Sequence, residues 1–202
     1  MSFVVVQGAQ DLGLASQSAT GPSNALLQRG IVKDNSYKNV SLGLVFTPAS
    51  GLKLGEPELK GTPGSLPLLV TIAAWPAGKP LSGFGTIFYA DALSYYRSDQ
   101  RSVEAYLRKI TRTNIRDGFA LLSGANPRAL GGAVFSRADF RKGSIYESVL
   151  ARTCGDYALV FAFVGPDVDV VNRLISGTTV NLDQNLSGCS NKEKEKDPPS
   201  GR

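Results

Sequence analysis

The feature that most constrains this chain is a strand-length segment, residues 157–164, that is apolar at every position. A strand with one face in water alternates apolar and polar residues, whereas a strand that is apolar throughout must be covered on both faces. The segment closes a predicted meander of three antiparallel strands over residues 130–140, 144–153 and 156–164. Tight turns at 141–143 and 154–155 connect these strands. Further layers must therefore lie above and below the sheet.

Two helices are predicted to supply those layers. The first covers residues 102–114, because Ser102 has the hydroxyl of a good N-cap and apolar residues then recur at helical spacing. The second begins after Pro166, since proline is tolerated in a first helical turn, and ends at Gly177. The apolar face of the first helix consists of Val103, Tyr106, Leu107 and Ile110.

The remaining chain reads as strands over residues 40–46, 68–75, 84–90, 119–122 and 178–182, with loops at 49–67 and 123–127. We therefore predict an α+β fold in which an antiparallel β-sheet is packed between helices, as an α/β/α sandwich. One domain is expected over residues 30–183. It follows a linker or signal-peptide remnant at 1–29 and precedes a charged tail at 184–202, which is expected to be disordered because it lacks apolar anchors.

The 202-residue chain contains no histidine, which restricts its chemistry. Ser-His-Asp and Cys-His sites, His-ligated zinc or haem, and an imidazole switch near neutral pH are all excluded. Asp167 and Asp169 have the spacing of a D-x-D metal pair, but residues two apart on a helix do not face each other. Aspartate near a helix start is also favoured by the helix dipole. The sequence therefore predicts no catalytic residue, no metal and no cofactor.

The charge balance allows an anionic partner without specifying one. The formal net charge is +5 and the pI is near 9.3, values that are common among soluble domains. No specific nucleic-acid motif is present, and no segment reaches the roughly 20 apolar residues of a membrane-spanning helix.

The two cysteines and the N-terminus both bear on cellular location. Cys154 and Cys189 either form one disulfide that pins the tail to the sheet, as in an exported protein, or remain two unrelated reduced thiols. The first ten residues are either the last part of a signal peptide, with Gly8 and Ala9 near its cleavage site, or an ordinary N-terminus. The sequence thus favours an extracytoplasmic protein, periplasmic or secreted, with a cytoplasmic one as the alternative.

One local motif, together with the order of elements, resembles the PsbP/Mog1-like superfamily, including its bacterial exported DcrB and LpqN types. The motif is Tyr37-Lys-Asn39 followed by a strand that ends in Pro48 and Gly51. The family often has tryptophan after that glycine, where this chain has Leu52. The resemblance covers residues 30–183 and implies a non-catalytic accessory or binding role. It transfers no functional residue to this chain.

A basic helix face is the first candidate site. Arg108, Arg112 and Arg116 recur every four residues, Arg101 falls on the same side and Lys109 is nearby. Arginine suits bidentate capture of carboxylates or phosphates, so a protein partner could dock there. The alternative is a solvated face in which Glu104 and Arg108 form an ordinary ion pair.

An aromatic group is the second candidate. Trp75, Tyr89, Tyr95 and Tyr96, with Phe88 beside them, either line a pocket or partner surface near one end of the sheet or pack in the core. The alternation of residues on the predicted strand 144–153 does not decide whether Glu147 and Arg152 face solvent or a cleft.

Three functions compete. The leading hypothesis is a non-catalytic accessory protein that works through a protein partner. The second is a small-ligand or lipid carrier, which requires an apolar cavity against the sheet. The third is an enzyme that uses a pair of carboxylates about 5 to 9 Å apart in one cleft.

Overall fold

The computed structural model describes residues 27–61, 69–78 and 83–183, and these residues form an α+β fold dominated by antiparallel sheet. The predicted fold class is confirmed at this level. The predicted tail and most of the predicted linker lie outside the described residues. Leu27, three residues before the predicted start of the domain, is already buried in the core.

The described residues form twelve strands and two α-helices. The strands are β1 (Ile31–Lys33), β2 (Ser36–Asn39), β3 (Leu44–Thr47), β4 (Leu52–Leu54), β5 (Glu58–Lys60), β6 (Leu69–Pro76), β7 (Gly85–Ala92), β8 (Ala120–Leu130), β9 (Ala133–Lys142), β10 (Ile145–Cys154), β11 (Tyr157–Gly165) and β12 (Thr179–Leu182). The helices are α1 (Val103–Arg116) and α2 (Val168–Gly177), and the 3-10 turns Leu93–Tyr95 and Ser98–Gln100 lead into α1.

The strands form two antiparallel sheets. The larger runs in the order β4, β6, β7, β11, β10, β9, β8, with β5 also paired to β6, and the smaller runs β1, β2, β3, β12. The predicted meander is confirmed as β9, β10 and β11, whose turns join Lys142 to Ile145 and Cys154 to Tyr157. Because β11 lies between β7 and β10 inside the sheet, it has no edge in water.

The two faces of β11 carry side chains of different size. Alternate residues of a strand point to opposite faces, so each face receives its own set. The face towards α1 is made of small residues, and the face towards α2 is made of large ones. The small set is Ala158, Val160 and Ala162, and the large set is Leu159, Phe161 and Phe163.

Each face of the large sheet has its own cover. On one face α1 packs through Tyr106, Leu107 and Ile110. On the other, both α2 and the small sheet bury their apolar residues. There the ring of Phe161 lies 5.3 Å from that of Phe46 on β3 and 4.9 Å from that of Phe88 on β7. The small sheet as a covering layer was not predicted.

Three predictions of local structure need correction. Residues 40–43 form a turn, so the strand begins only at Leu44. The predicted loop at 49–67 contains the short strands β4 and β5, because both pair with β6 despite their Gly- and Pro-rich surroundings.

The third correction concerns β8, which runs through residues predicted as a short strand and a loop. Its register with β9 shifts between Leu121 and Ser123 and again between Ser123 and Asn126. These bulges accommodate the loop-like residues without ending the strand. Ser123 Oγ donates a hydrogen bond to Asp139 Oδ2 at 3.3 Å, which holds the bulged segment against β9.

The Tyr37–Asn39 motif has a structural role. Tyr37 Oη donates to the carbonyl of Arg29 at 3.0 Å, and Asn39 Nδ2 donates to Tyr37 Oη at 2.8 Å and to the carbonyl of Gln28 at 2.7 Å. Asn39 Oδ1 accepts from the backbone N–H of Leu42 at 3.2 Å. The motif therefore ties the segment that enters the domain to the β2–β3 turn.

At Gly131 the backbone of the large sheet lies directly against the small sheet. It forms the β8–β9 turn with Gly132, and both residues have positive φ, 58° and 77°. A Cβ at Gly131 would lie 1.7 Å from the carbonyl oxygen of Val180 on β12, whereas one at Gly132 would have no atom within 4 Å.

This contrast gives a stability prediction with an internal control. Both Gly131→Ala and Gly132→Ala should lose about 1–2 kcal/mol, because an alanine resists positive φ. Gly131→Ala should lose about 1–3 kcal/mol more, since its methyl group overpacks the contact with β12. Urea unfolding of the two variants measures the difference. Equal losses would contradict the close approach of the sheets.

Candidate functional site

The exposed face of α1 carries the predicted row of arginines. Ser102 caps the helix by accepting from the N–H of Ala105 at 3.2 Å, which starts the helix in the phase that buries its apolar face. Arg108, Arg112 and Arg116 are consequently exposed. We call these three residues the arginine row.

Few carboxylates neutralise this row. Arg116 Nε lies 3.7 Å from Asp117 Oδ1, a long pair between an exposed arginine and a partly buried aspartate. Within residues 83–183, no ion pair joins Arg108 to Glu104. Arg101 differs from the row, because its guanidinium donates to the carbonyls of Tyr96 at 2.9 Å and Ser94 at 3.2 Å.

Lys109 does not belong to the exposed surface, in contrast to its predicted role. Its ammonium group points under the helix, donates to Tyr96 Oη at 2.8 Å and lies 4.4 Å from the centre of the Tyr96 ring. The half-buried position lowers the pKa of Lys109, and the nearby Asp91 partly opposes that shift. The helical phase explains the difference, since Lys109 lies between the exposed and buried faces.

A buried polar cluster fastens the first half of α1 to the sheet. Asp91 on β7 is 4% exposed, and its Oδ2 accepts from Tyr96 Oη at 2.5 Å and from Tyr106 Oη at 2.7 Å. Burial raises the pKa of Asp91, and hydrogen bonds from the two tyrosines and the charge of Lys109 partly offset the rise. The cluster thus satisfies an otherwise costly buried carboxyl.

A second contact fastens the last turn of α1. Asn114 Nδ2 donates to Glu147 Oε2 at 3.1 Å, and Glu147 on β10 is 8% exposed. Burial raises the pKa of Glu147 to about 7, although the bond from Asn114 opposes the rise. Tyr89 faces the same space, and its own pKa is raised by burial and by the charges of Glu147 and Asp91. Glu147 shares the α1 face of β10 with buried Val149 and Ala151, a placement that the mixed alternation of this strand does not predict.

These carboxyls do not form an open active site. Asp91 and Glu147 are buried and accept hydrogen bonds from the α1 side chains Tyr106 and Asn114, so neither carboxyl faces an open cleft of the kind a glycosidase-type pair needs. Asp167, one member of the D-x-D pair, caps α2 by accepting from the N–H of Val170 at 2.8 Å. Within the part of the chain that the structure describes, no three acidic or cysteine side chains are grouped for metal binding.

The predicted aromatic group is divided rather than gathered. Tyr89 and Tyr96 are buried on the α1 side of the sheet, whereas Tyr95 packs against the core on the α2 side. Trp75 on β6 lies beside the start of β7. Tyr95 and Tyr96 come after the opposite end of β7, which is Ala92. The four residues therefore do not form one pocket.

A cleft lies between the β8–β9 turn and the end of α2. It has a volume of about 320 Å³ and is open to solvent. A carrier requires an apolar cavity against the sheet. On the sheet face covered by α2 and the small sheet, the rings of Phe46, Phe88 and Phe161 pack against one another. The cleft is lined by Arg128, Ala129, Leu130, Gly131, Ile175, Ser176 and Thr178.

Cys154 lies buried at the end of β10 and is disulfide-bonded. The predicted partner, Cys189, lies outside the described residues. The structure therefore describes only the sheet end of the predicted bridge.

No protein-family model matches the chain, and no curated protein matches it. Neither described helix is long and apolar enough to cross a membrane. Because no match is found, the arginine row is identified as a candidate site from the geometry of this chain alone.

Glu147 should make stability depend on pH. Its pKa is higher in the folded protein, about 7, than the ordinary value of 4.5, so the folded state binds more protons between these values. The contribution of protonated Glu147 to the free energy of unfolding is therefore complete below pH 4.5 and is lost as the pH rises through 7. Glu147→Gln stays neutral and keeps an acceptor for Asn114. At pH 8 it should be more stable than the natural protein by about 3 kcal/mol.

Urea unfolding between pH 4.5 and 8.5 measures this effect. Glu104→Gln is the matched control, because it makes the same chemical change on the exposed side of α1. It should leave the pH profile unchanged. Identical profiles for Glu147→Gln and the natural protein would show that Glu147 is not the buried proton-binding group.

Proposed function

We propose that this protein is a non-catalytic accessory or binding protein that docks an acidic protein partner on the arginine row. The observation that carries the proposal is the exposure of Arg108, Arg112 and Arg116 on successive turns of one helix face. Among the described residues, Arg108 and Arg112 form no ion pair. Their guanidinium groups thus keep the donors that bind carboxylates in a bidentate way.

The fastening of α1 supports this proposal. The Asp91–Tyr106 and Glu147–Asn114 bonds hold the first and last turns of the helix to the sheet. A helix held at both ends presents its arginines at fixed separations. Binding then loses less conformational freedom than docking on a mobile segment would.

The non-catalytic part of the proposal rests on the covered carboxyls and on the missing imidazole. Asp91 and Glu147 contact side chains of α1 instead of a cleft. Both groups are therefore assigned to the attachment of the helix.

An extracytoplasmic location, periplasmic or secreted, belongs to the same proposal. The disulfide at Cys154 supports it, because structural disulfides persist in oxidising compartments. Membership of the PsbP/Mog1-like superfamily, with its α/β/α sandwich, is likewise proposed. A large antiparallel sheet with α1 on one face and α2 on the other supports it.

Cross-linked capture from the native host tests the docking surface. The natural chain is compared with a variant in which Arg108, Arg112 and Arg116 are replaced by Glu. We expect a stoichiometric partner to be captured by the natural chain and lost from the variant, because three attractive contacts become repulsive.

A matched control separates this surface from net charge. Lys33, Lys38 and Lys53 are exposed on β1, β2 and β4, and their replacement by Glu changes the charge by the same amount. This control should retain the partner. Retention by the arginine variant would refute the docking surface, and loss from both variants would indicate attraction by overall charge.

Disulfide formation in the exported protein can be measured separately. Both cysteines should resist alkylation under denaturing conditions until a reductant is added. Two thiols that alkylate without reductant would contradict an oxidising location for this chain.

A further inference from the structure

The end of α1, the start of β8 and the β9–β10 turn meet at one corner of the large sheet. Lys142 Nζ donates to the carbonyl of Asp117 at 2.6 Å, and Ala120 pairs with Arg141. These contacts place Arg116, Arg141 and Lys142 beside the last turn of the helix. All three basic residues are exposed there.

Large apolar side chains are also exposed at the end of α1 and near the start of β8, the two elements that meet at this corner. Ile115 on α1 is 52% exposed, and Leu121 and Leu122 on β8 are 43% and 51% exposed. Leu121 pairs with Phe140, so it points to the same face of the sheet as α1. Single exposed apolar residues are ordinary, but a group of them surrounded by charge is typical of an interaction site. We call Ile115, Leu121 and Leu122 the apolar corner.

The partner must be acidic rather than a second copy of this chain. β8 contains no acidic residue, and Arg128 is its only charged one. A copy docked across the corner would bring two sets of basic side chains together, which costs free energy. Acidic groups on a partner would instead pair with Arg116, Arg141 and Lys142.

The partner must also dock through side chains rather than by adding a strand to β8. No described strand pairs with the outer edge of β8, so its backbone could in principle accept one. Leu130 and Ala133 flank the two-residue turn and form a bonded pair, so Pro127 directs its ring nitrogen outward. Proline has no N–H to donate, and the two bulges interrupt the edge further.

We propose that the apolar corner, with Arg116, Arg141 and Lys142 around it, binds an acidic segment of a partner protein that inserts a large apolar side chain. The proposal rests on the proposed function, because Arg116 belongs to both surfaces. The inference specifies what kind of partner segment is recognised, and it places the centre of the interface at the apolar corner. Apolar contacts surrounded by charged groups are the usual arrangement of protein interfaces.

A labelled peptide tests this binding mode directly. The probe has blocked ends and a central Phe-Leu pair with four Glu residues on each side, and its binding to the full chain is followed by fluorescence anisotropy. A second peptide has Ser-Ser in place of Phe-Leu, and a third has Lys in place of Glu. We expect the first peptide to bind at least about tenfold more tightly than either of the others.

Two double variants locate the site. Ile115→Ser with Leu121→Ser should weaken binding of the Phe-Leu peptide at least about tenfold. Ile31→Ser with Val40→Ser removes apolar residues that are also exposed but lie on β1 and in the β2–β3 turn. This control should bind as the natural chain does. Thermal unfolding of each variant verifies that it is folded.

The outcomes separate this inference from the proposed function. Equal binding of the Phe-Leu and Ser-Ser peptides, lost only in the arginine-row variant, would overturn the apolar corner and leave the charged surface standing. No binding of any acidic peptide would overturn the inference, while the capture experiment still decides the proposed function. Binding of the Phe-Leu peptide that is lost in the corner variant and weakened in the arginine-row variant would support the inference, because Arg116 belongs to both surfaces.

Discussion

The burial of β11 on both faces is the constraint on which the other layers depend. Its small residues, Ala158, Val160 and Ala162, allow α1 to approach the sheet and leave space for the tyrosines beneath it. Its large residues fill the opposite side, where Phe161 contacts the rings of Phe46 and Phe88. One strand thus presents small side chains to the helix on one side and large aromatic side chains to the layer on the other.

The attachment of α1 combines this apolar contact with two buried carboxyls. Asp91 is well supplied with donors, whereas Glu147 accepts one side-chain hydrogen bond, from Asn114. A buried carboxyl with so little compensation opposes folding when it is ionised. The helix is therefore fixed in position at the expense of stability, as expected where geometry matters more than maximal stability.

The sequence predicted secondary structure best where the hydrophobic periodicity and the helix-capping residues indicated the same element. The meander followed from the continuous apolar run, and α1 followed from Ser102 and its apolar spacing. The sequence was least informative where tertiary pairing overrides local preference. The short strands β4 and β5 exist because β6 offers them an edge, and β8 continues through Ser123 and Asn126 because Asp139 and β9 hold its bulges.

At the candidate site, too, the features set by local geometry were predicted and those set by tertiary contacts were not. The helical period placed the exposed arginines correctly, since it depends only on local geometry. It could not place Lys109, whose direction depends on Tyr96, a residue from the turn before the helix. The apolar corner was also beyond local patterns, because Leu121 comes near the end of α1 only when β8 pairs with β9.

The small sheet has a consequence for the order in which the chain matures. Its strands β1, β2 and β3 come from the start of the described chain, yet β3 pairs on its other side with β12, at the end. During synthesis, the early hairpin must wait for almost the whole domain before its last neighbour arrives. Pairings this distant in sequence are slow to form, and the waiting strand is exposed to association with other chains. The β3 edge of the small sheet is therefore completed only when β12, at the end of the domain, has been made.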